Sequence, residues 1–343
     1  MGKLVSKLKV TSRILYLIYL GMTVLEVCIL MLDKPIPGYE NEQFFFSLLA
    51  TFGCAGTGGF GFIPGSMELF HPFSQYVMAT FLLLFGCNFG LYYLLLIGKV
   101  REVLRSEEFR AYFLIVATAV GLVFLSLVGR FEAYPQVYTT EEAFRHSYFQ
   151  VASIISTTGY STTDFALWPS LGKTVLVILM FFGAMAGSTA GGIKTSRLVI
   201  ACKGAYCNIR RLINPRYVPK VKFEGKTLES QTINDVFAFF TLYLFLLLSA
   251  LLLVSFDPVN GQTLTIVSDA GTYTVEHGFA TNFTAVLSCL SNIGPGMEAV
   301  GAYSSFAGFS WLSKTVLSFA MLLGRLEILP ILILFNPKTW KRV

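Results

Sequence analysis

The chain has 343 residues, of which 54% are hydrophobic, 15% aromatic and only 13% charged. A soluble protein of this size carries about twice that share of charged residues. The six cysteines show neither CxxC nor Cys/His spacing, which argues against a disulfide scaffold or a structural zinc site, and the net charge of +6 is too small to indicate nucleic-acid binding. The composition therefore predicts a polytopic membrane protein.

Six apolar segments are candidate membrane spans, because a bilayer core of about 30 Å takes roughly 20 apolar residues as helix. Four are continuous, at 14–32, 76–97, 112–128 and 236–256. The fifth starts at Thr174 and meets the glycine-bearing stretch 186–192 before it resumes at Leu198. The sixth, 315–335, contains Arg325 and Glu327 in mid-span. We expect six spans, two of them broken.

Basic residues indicate how these spans are oriented. If residue 1 is cytoplasmic and all six segments cross, 20 of the 26 basic residues fall on the inner side and five on the outer side, with Arg325 left in the membrane. This positive-inside bias predicts that both termini are cytoplasmic. It also explains the basic 194–226 connection as a topology signal, in preference to a lipid or nucleic-acid site.

Each outer connection contains a shorter apolar stretch that ends in a glycine-bearing tract. The three stretches align without gaps, as FSLLATFGCAGTGGFG (46–61), YFQVASIISTTGYS (148–161) and FTAVLSCLSNIGPG (283–296). Such internal repetition predicts three copies of one unit, each a helix, a short re-entrant helix with its tract, and a second helix. The units are 1–100, 101–228 with the glycine-rich broken helix, and 229–343 with the intramembrane arginine.

The repeated unit is suited to binding a cation. Non-helical backbone at membrane depth is tolerated only where it is buried in protein or lines a water-filled path, and a ring of carbonyls can replace the hydration shell of an ion. Alternating backbone conformations, which glycine permits, can turn successive carbonyls to one side. The tracts contain no carboxylate, so they favour a monovalent cation over Mg²⁺ or Ca²⁺. The alternative is that each glycine merely ends a short helix; three equivalent tracts favour a pore loop.

The ordered set of motifs resembles the Trk/Ktr/HKT superfamily of potassium transporters, and specifically its TrkH-type membrane subunit. The residues that carry the resemblance are TGGFG (57–61), STTGY (156–160), SNIGPG (291–296), GAMAGSTAGGIK (183–194) and LGRLE (323–327). The resemblance implies a potassium-channel-like arrangement of four repeats around a central pore. This chain has three, similar to repeats two, three and four. We expect that the first repeat is missing and that a three-walled filter does not conduct alone.

The resemblance also implies a role for individual residues. The potassium filter residues would be Thr57, Gly58, Gly59, Phe60, Thr157, Thr158, Gly159, Tyr160, Asn292, Ile293, Gly294 and Pro295. The gate would be an intramembrane loop under the filter, with Gly187, Ser188, Thr189, Gly191, Gly192 and Lys194. The alternative for this small-residue stretch is a close helix-packing face.

Arg325 is an ionisable residue in a span, for which a functional role is the default expectation. The resemblance places it near the pore below the filter, as an electrostatic barrier or as a group that holds the gate loop. The alternative is an internal ion pair with Glu327 or with Glu26. Glu26 and Asn88 are interpreted mainly as interhelical polar contacts.

Function follows from the resemblance as a set of expectations. The chain would be a gated potassium uptake subunit of the cytoplasmic (inner) membrane, a homodimer in contact with membrane lipids, controlled by cytoplasmic Rossmann-type nucleotide-binding subunits. Potassium would be the transported ion, without an organic cofactor. No motif supports enzyme activity, and the three histidines are not spaced from one another or from cysteines and carboxylates as metal ligands are. Two alternatives stay open: a proton- or sodium-coupled secondary transporter, with Glu26 as the one candidate carboxylate, and an incomplete, non-conducting fragment.

Overall fold

The structure is a computed structural model that describes residues 2–63, 65–129, 138–214, 216, 220–268 and 271–326, with side chains from residue 11 onward. These residues form α-helices and two short hairpins. The first unit contains α1 (Gly2–Leu30), α2 (Gln43–Ala55), α3 (Pro72–Phe85) and α4 (Phe89–Leu96), and the short α5 (Val100–Arg105) connects it to the second. The second contains α6 (Glu107–Val128), α7 (Thr140–Ile155), α8 (Ser170–Phe181), α9 (Thr195–Ile213), β1 (Lys222–Phe223) and β2 (Lys226–Thr227). The third contains α10 (Ser230–Val254), β3 (Thr263–Ser268), β4 (Gly271–Glu276), α11 (Phe279–Ser291) and α12 (Trp311–Arg325).

Three helices among the described residues are long and apolar enough to cross a membrane. They are Thr11–Leu30 within α1, Glu107–Val128 and Ser230–Val254. Each is the first helix of its unit. The described part of the last expected span is α12; the rest of that span, with Glu327, lies outside the described residues.

The expectation of one continuous helix over 76–97 is wrong. The chain bends by 94° between α3 and α4. Asn88 begins the new helix, because its side-chain oxygen accepts the Gly90 N–H at 2.8 Å. Backbone groups freed at the bend bind residues of the second unit: Gly86 O accepts the Met185 N–H, and the Phe89 N–H donates to Gly187 O. Asn88 therefore caps a helix instead of bridging two.

The short helices α2, α7 and α11 have 13, 16 and 13 residues. At 1.5 Å per residue they are about 20–24 Å long, too short for a bilayer core of about 30 Å. In every unit the short helix packs against both the first helix and the one that follows. Between units, α3 packs on α7 and α8 packs on α11. The second helix of one unit thus supports the short helix of the next.

An aspartate clasp closes two of the units where the first helix of each ends. Asp33 follows α1 and accepts the backbone N–H and hydroxyl of Ser74 in α3, at 3.0 and 2.5 Å. Asp257 follows α10 and accepts the same two groups of Ser310 before α12, at 2.9 and 2.7 Å. The third-unit connection also forms the β3–β4 hairpin, whose Tyr273 hydroxyl donates to Asp164 at 2.5 Å.

Candidate functional site

The three glycine tracts have one backbone conformation in common. One or two residues after each short helix ends, a residue is left-handed, with φ +50° at Thr57, +56° at Thr157 and +60° at Asn292. Two residues later, each tract has a glycine that is also at positive φ: +64° at Gly59, +86° at Gly159 and +114° at Gly294. The positions between them do not have positive φ. Conformation therefore alternates along each tract.

Hydrogen bonding along the tracts follows this alternation. The N–H groups of Gly58, Thr158 and Ile293 each donate at 2.9 Å to the carbonyl five residues earlier in the short helix. Within the residues that the structure describes, no protein group donates to the nine carbonyls of 57–59, 157–159 and 292–294. The amides point back into the protein and the carbonyls are left available, which is the arrangement a cation needs.

The tracts approach each other closely. A Cβ atom added at Gly59 would overlap the Thr158 carbonyl oxygen, and one added at Gly159 would overlap the Ile293 carbonyl oxygen. A cavity of about 350 Å³ is lined by residues of all three tracts and of the connections that follow them. The carbonyls of neighbouring tracts thus lie side by side around a shared space.

Between the first and third tracts the arrangement is open. A Cβ atom added at Gly294 would meet nothing within 4 Å. A cavity of about 650 Å³ lies here, lined by Thr57, Asn292, Met321 and further residues of both units. Phe60 is 84% exposed. The three tracts therefore surround the shared space on three sides.

The expected gate residues lie in a loop that contacts all three tracts. Helical geometry stops after Phe181 and resumes at Thr195. The Thr57 hydroxyl shares its proton between Gly56 O at 2.7 Å and Thr189 O at 3.1 Å, and the Gly191 N–H donates to Thr157 Oγ1 at 2.6 Å. A Cβ atom at Gly191 would be 2.7 Å from Ser291 O. We call residues 182–194 the intramembrane loop.

The base of the intramembrane loop is held together by backbone bonds. The Gly183 N–H donates to Ile193 O at 2.8 Å and the Thr195 N–H donates to Ala184 O at 3.2 Å. The Lys194 ammonium group donates a hydrogen bond to Ala190 O. A cavity of about 450 Å³ is lined by the loop and by Tyr243, Leu290, Arg325 and neighbours.

Arg325 lies at the end of α12, beside the first tract. Its guanidinium donates to Thr57 Oγ1 at 3.3 Å and to Gly56 O at 3.4 Å. It lines the cavity next to the loop and the opening between the tracts. The arginine thus contacts the base of a tract. Its expected alternative partner Glu327 lies outside the described residues.

Glu26 is fully buried, and both carboxyl oxygens lack a hydrogen-bond partner among the described residues apart from the weakly polar Cys54 thiol. It is therefore not paired with Arg325. No cluster of metal-ligating side chains is found within the described part of the chain.

Sequence reasoning missed several groups that shape the site. The Ser153 hydroxyl donates to Tyr160 O at 2.7 Å, and the Ser288 hydroxyl accepts the Gly294 N–H at 3.0 Å. At the equivalent position the first unit has Gly53, and a Cβ atom there would overlap the Tyr160 hydroxyl. The ungapped alignment of the tracts already places Gly53, Ser153 and Ser288 at one position, which was the available signal.

Known proteins resemble the chain over nearly its whole length. The family described as "TrkH: Cation transport protein" matches residues 1–342. The Trk system potassium uptake proteins TrkH of Salmonella typhimurium and TrkG of Escherichia coli K12 are each 30% identical to it over 99% of this chain and 64% of their own length. The crystal structure of the potassium transporter TrkH from Vibrio parahaemolyticus superposes with a TM-score of 0.79 at 29% identity, over 96% of this chain and 65% of that one. The chain thus spans less than two thirds of the length of these relatives.

Proposed function

Because the chain belongs to the TrkH family of cation transport proteins, we propose that it is a potassium uptake subunit whose three tracts are walls of a selectivity filter. The observation that carries this proposal is the set of nine carbonyls, in three equivalent tracts, that accept no hydrogen bond from the described protein. Unpaired carbonyls at membrane depth cost several kcal/mol each unless they serve an ion or water. A weakly hydrated cation such as K⁺ can be bound by these carbonyls in place of its water shell.

The intramembrane loop is proposed to be the gate. Its support is the pair of bonds that tie Thr189 and Gly191 to the first and second tracts, directly beside the proposed ion path. Opening requires these bonds to break. Arg325 is proposed to repel cations next to the same path and to hold the base of the first tract through Thr57.

The rest of the machinery is proposed from the relatives. A fourth wall would fill the opening beside Gly294 and Phe60. The subunit would work as a homodimer in the inner membrane with cytoplasmic termini, and Rossmann-type nucleotide-binding subunits would control it from that side. The names of the relatives, which refer to a Trk system for potassium uptake, support the choice of ion.

Rubidium uptake into proteoliposomes tests the proposal. Uptake is expected when a fourth helix/pore-loop/helix unit is supplied with the chain, and rubidium entry should be competed by K⁺ and much less by Na⁺. Uptake by the chain alone would contradict the requirement for a fourth wall. Absence of uptake in both samples would contradict the transport proposal.

Gly159→Ala tests the filter itself. Alanine is strained at φ +86°, by about 1–2 kcal/mol, and its Cβ overlaps the Ile293 carbonyl. We expect the preference for K⁺ over Na⁺ to fall by about tenfold or more, because the backbone must shift to relieve this strain and the shift displaces the Ile293 carbonyl, a proposed ligand of the ion. Gly121→Ala is the matched control, because it lies within helix α6 with nothing within 4 Å of the new atom. Unchanged selectivity in Gly159→Ala would exclude this tract from the filter.

Glu26 supports a second candidate, a coupled secondary transporter. A buried carboxyl group without a strong partner is what a proton-coupled carrier uses. The two candidates differ in whether a pH gradient drives uptake.

A further inference from the structure

Glu108 is a buried carboxylate that the proposed transport path does not use. It is the second residue of α6, and 5% of its surface is exposed. Its Oε1 atom accepts the Ala186 N–H at 2.7 Å and the Ser196 N–H at 3.1 Å. Ala186 lies within the intramembrane loop, and Ser196 lies just beyond its other end. One carboxylate oxygen therefore ties both arms of the loop to α6.

The start of α9 needs such a group. The first N–H groups of a helix have no partner inside the helix, and a negative charge is stabilising near them. Lys194 occupies the N-cap position of α9 and makes no side-chain capping bond. Glu108 supplies the cap from another helix. Removing it would leave the Ala186 and Ser196 N–H groups without this acceptor at the point where the loop joins α9.

The backbone of Glu108 is itself held by the β1–β2 hairpin. Glu224 is the residue that follows β1, and its φ of +49° places it in the hairpin turn. Its Oε1 atom accepts the Ser106 hydroxyl at 2.8 Å and the Glu108 N–H at 3.1 Å. The hairpin turn thus caps α6 directly under the residue that ties the loop.

A second connection runs from the same hairpin to α9. Lys203 donates to Glu107 Oε2 at 2.7 Å and to the Lys222 carbonyl at 2.8 Å. The Glu224 N–H also donates to Glu107 Oε2, at 3.2 Å. The hairpin, the start of α6 and α9 therefore form one bonded assembly at the surface that the basic residues assign to the cytoplasm.

We propose that Glu108 is a positioning residue that latches the intramembrane loop against the filter, and that Glu224 holds this latch in place from the cytoplasmic surface. The meaning of the latch for ion flow rests on the proposed function. The latch itself is a structural property of the loop, so it can be tested without any measurement of transport.

The test measures how fast the loop becomes accessible. Ser188, which lines the cavity next to the loop, is replaced by cysteine, and the two exposed native thiols are removed as Cys28→Ala and Cys202→Ala. The rate of modification by a charged methanethiosulfonate reagent is followed by peptide mass spectrometry on the full chain. We expect Glu108→Ala to raise this rate about tenfold, because two hydrogen bonds to a charged group are lost from a local opening equilibrium. Glu108→Gln, which keeps an acceptor oxygen, should raise it less.

Glu102→Ala is the matched control. Glu102 is an exposed carboxylate in α5 that pairs with Lys99, and its removal should leave the rate unchanged. Glu224→Ala should raise the rate about threefold and add nothing to Glu108→Ala, because both act through one connection. A rate in Glu108→Ala within twofold of the Glu102→Ala rate would overturn the proposal. So would an equal rise at the buried thiol of Cys54, which would show general loosening of the fold.

Discussion

Threonine is an unexpected residue at the first position of a tract. Thr57 and Thr157 are β-branched and have φ of +50° and +56°, a conformation that costs about 1–3 kcal/mol, whereas Asn292 tolerates it. Both threonine hydroxyls bind the intramembrane loop, one as donor to Thr189 O and one as acceptor from the Gly191 N–H. The strain is therefore offset by contacts that glycine or asparagine would not make in the same way. The same residues shape the proposed filter and hold the proposed gate.

Glu26 provides the residue-scale test between a passive and a coupled transporter. A buried polar group without a partner costs about 1–3 kcal/mol, so Glu26→Met, which is similar in volume and apolar, is expected to raise thermal stability in detergent. With the fourth helix/pore-loop/helix unit supplied, rubidium uptake should persist, and its response to a pH gradient should be the same as in the unsubstituted chain. Gln150→Met is the comparison, since Gln150 is also buried without a side-chain partner among the described residues. Loss of gradient-driven uptake in Glu26→Met alone would favour the coupled transporter.

At the scale of elements, the Asp257 clasp joins the end of α10 to the start of α12. Burial opposes ionisation of Asp257, but hydrogen bonds from the Ser310 hydroxyl and from the Val259 and Ser310 N–H groups outweigh it and lower its pKa from 3.8 to about 2. Because the folded-state pKa is the lower one, the stabilisation is fully present above about pH 4 and is lost as the pH falls towards 2.

Asp257→Asn is therefore expected to destabilise the protein by about 1–2 kcal/mol at pH 7, since hydrogen bonds to a charged acceptor are replaced by weaker ones. The difference in thermal unfolding between parent and variant should narrow below pH 4. Asp235→Asn, at an exposed position in α10, is the control and should have no effect at either pH. A difference that stays constant from pH 7 to pH 3 would contradict the clasp as its source.

The intramembrane loop can be shortened at its tip. The backbone bonds between Gly183 and Ile193 and between Ala184 and Thr195 use no donor or acceptor from residues 187–192, whereas the bond from Phe89 to Gly187 is lost with them. In proteoliposomes supplied with the fourth helix/pore-loop/helix unit, we expect this deletion to raise basal rubidium uptake severalfold, because the contacts of Thr189 and Gly191 with the tracts are lost. Uptake that stays at the parent level, in a variant that unfolds at the parent temperature, would argue against a gate in this loop.

Elements differ in how far the sequence predicted them. The three short helices α2, α7 and α11 were predicted because each repeats a local signal, an apolar stretch followed by glycine. The bend at Asn88 was not, because the run 76–97 contains no charge and no proline, and Asn88 is its one amide. What stabilises the bend is tertiary: bonds to Met185 and Gly187, about 100 residues away in the chain. Glu108 was missed for the same reason, since its partners are distant backbone groups that no residue pattern reveals.

At the scale of the molecule, the units are joined by one repeated contact. The second helix of a unit supports the short helix of the next, as α3 does for α7 and α8 does for α11. The carbonyls follow the same order, with Gly59 against Thr158 and Gly159 against Ile293. Continuing this pattern past Gly294 leads into the 650 Å³ opening, where one more tract would complete the circle.

We therefore expect residues that line the opening to become buried when the transporter is complete. Ser318 is an exposed residue of α12 that lines the opening, so a cysteine there should react quickly with a thiol reagent when the chain is alone. When a fourth helix/pore-loop/helix unit is supplied, the reaction should slow by about tenfold or more, because burial at a packed interface excludes the reagent. Ser255→Cys, at an exposed position after α10 outside this opening, is the control and should react equally in both samples. If Ser318→Cys stays reactive while rubidium uptake appears, the fourth wall must lie elsewhere, and the order of contacts inferred from Gly59 and Gly159 would not extend around the pore.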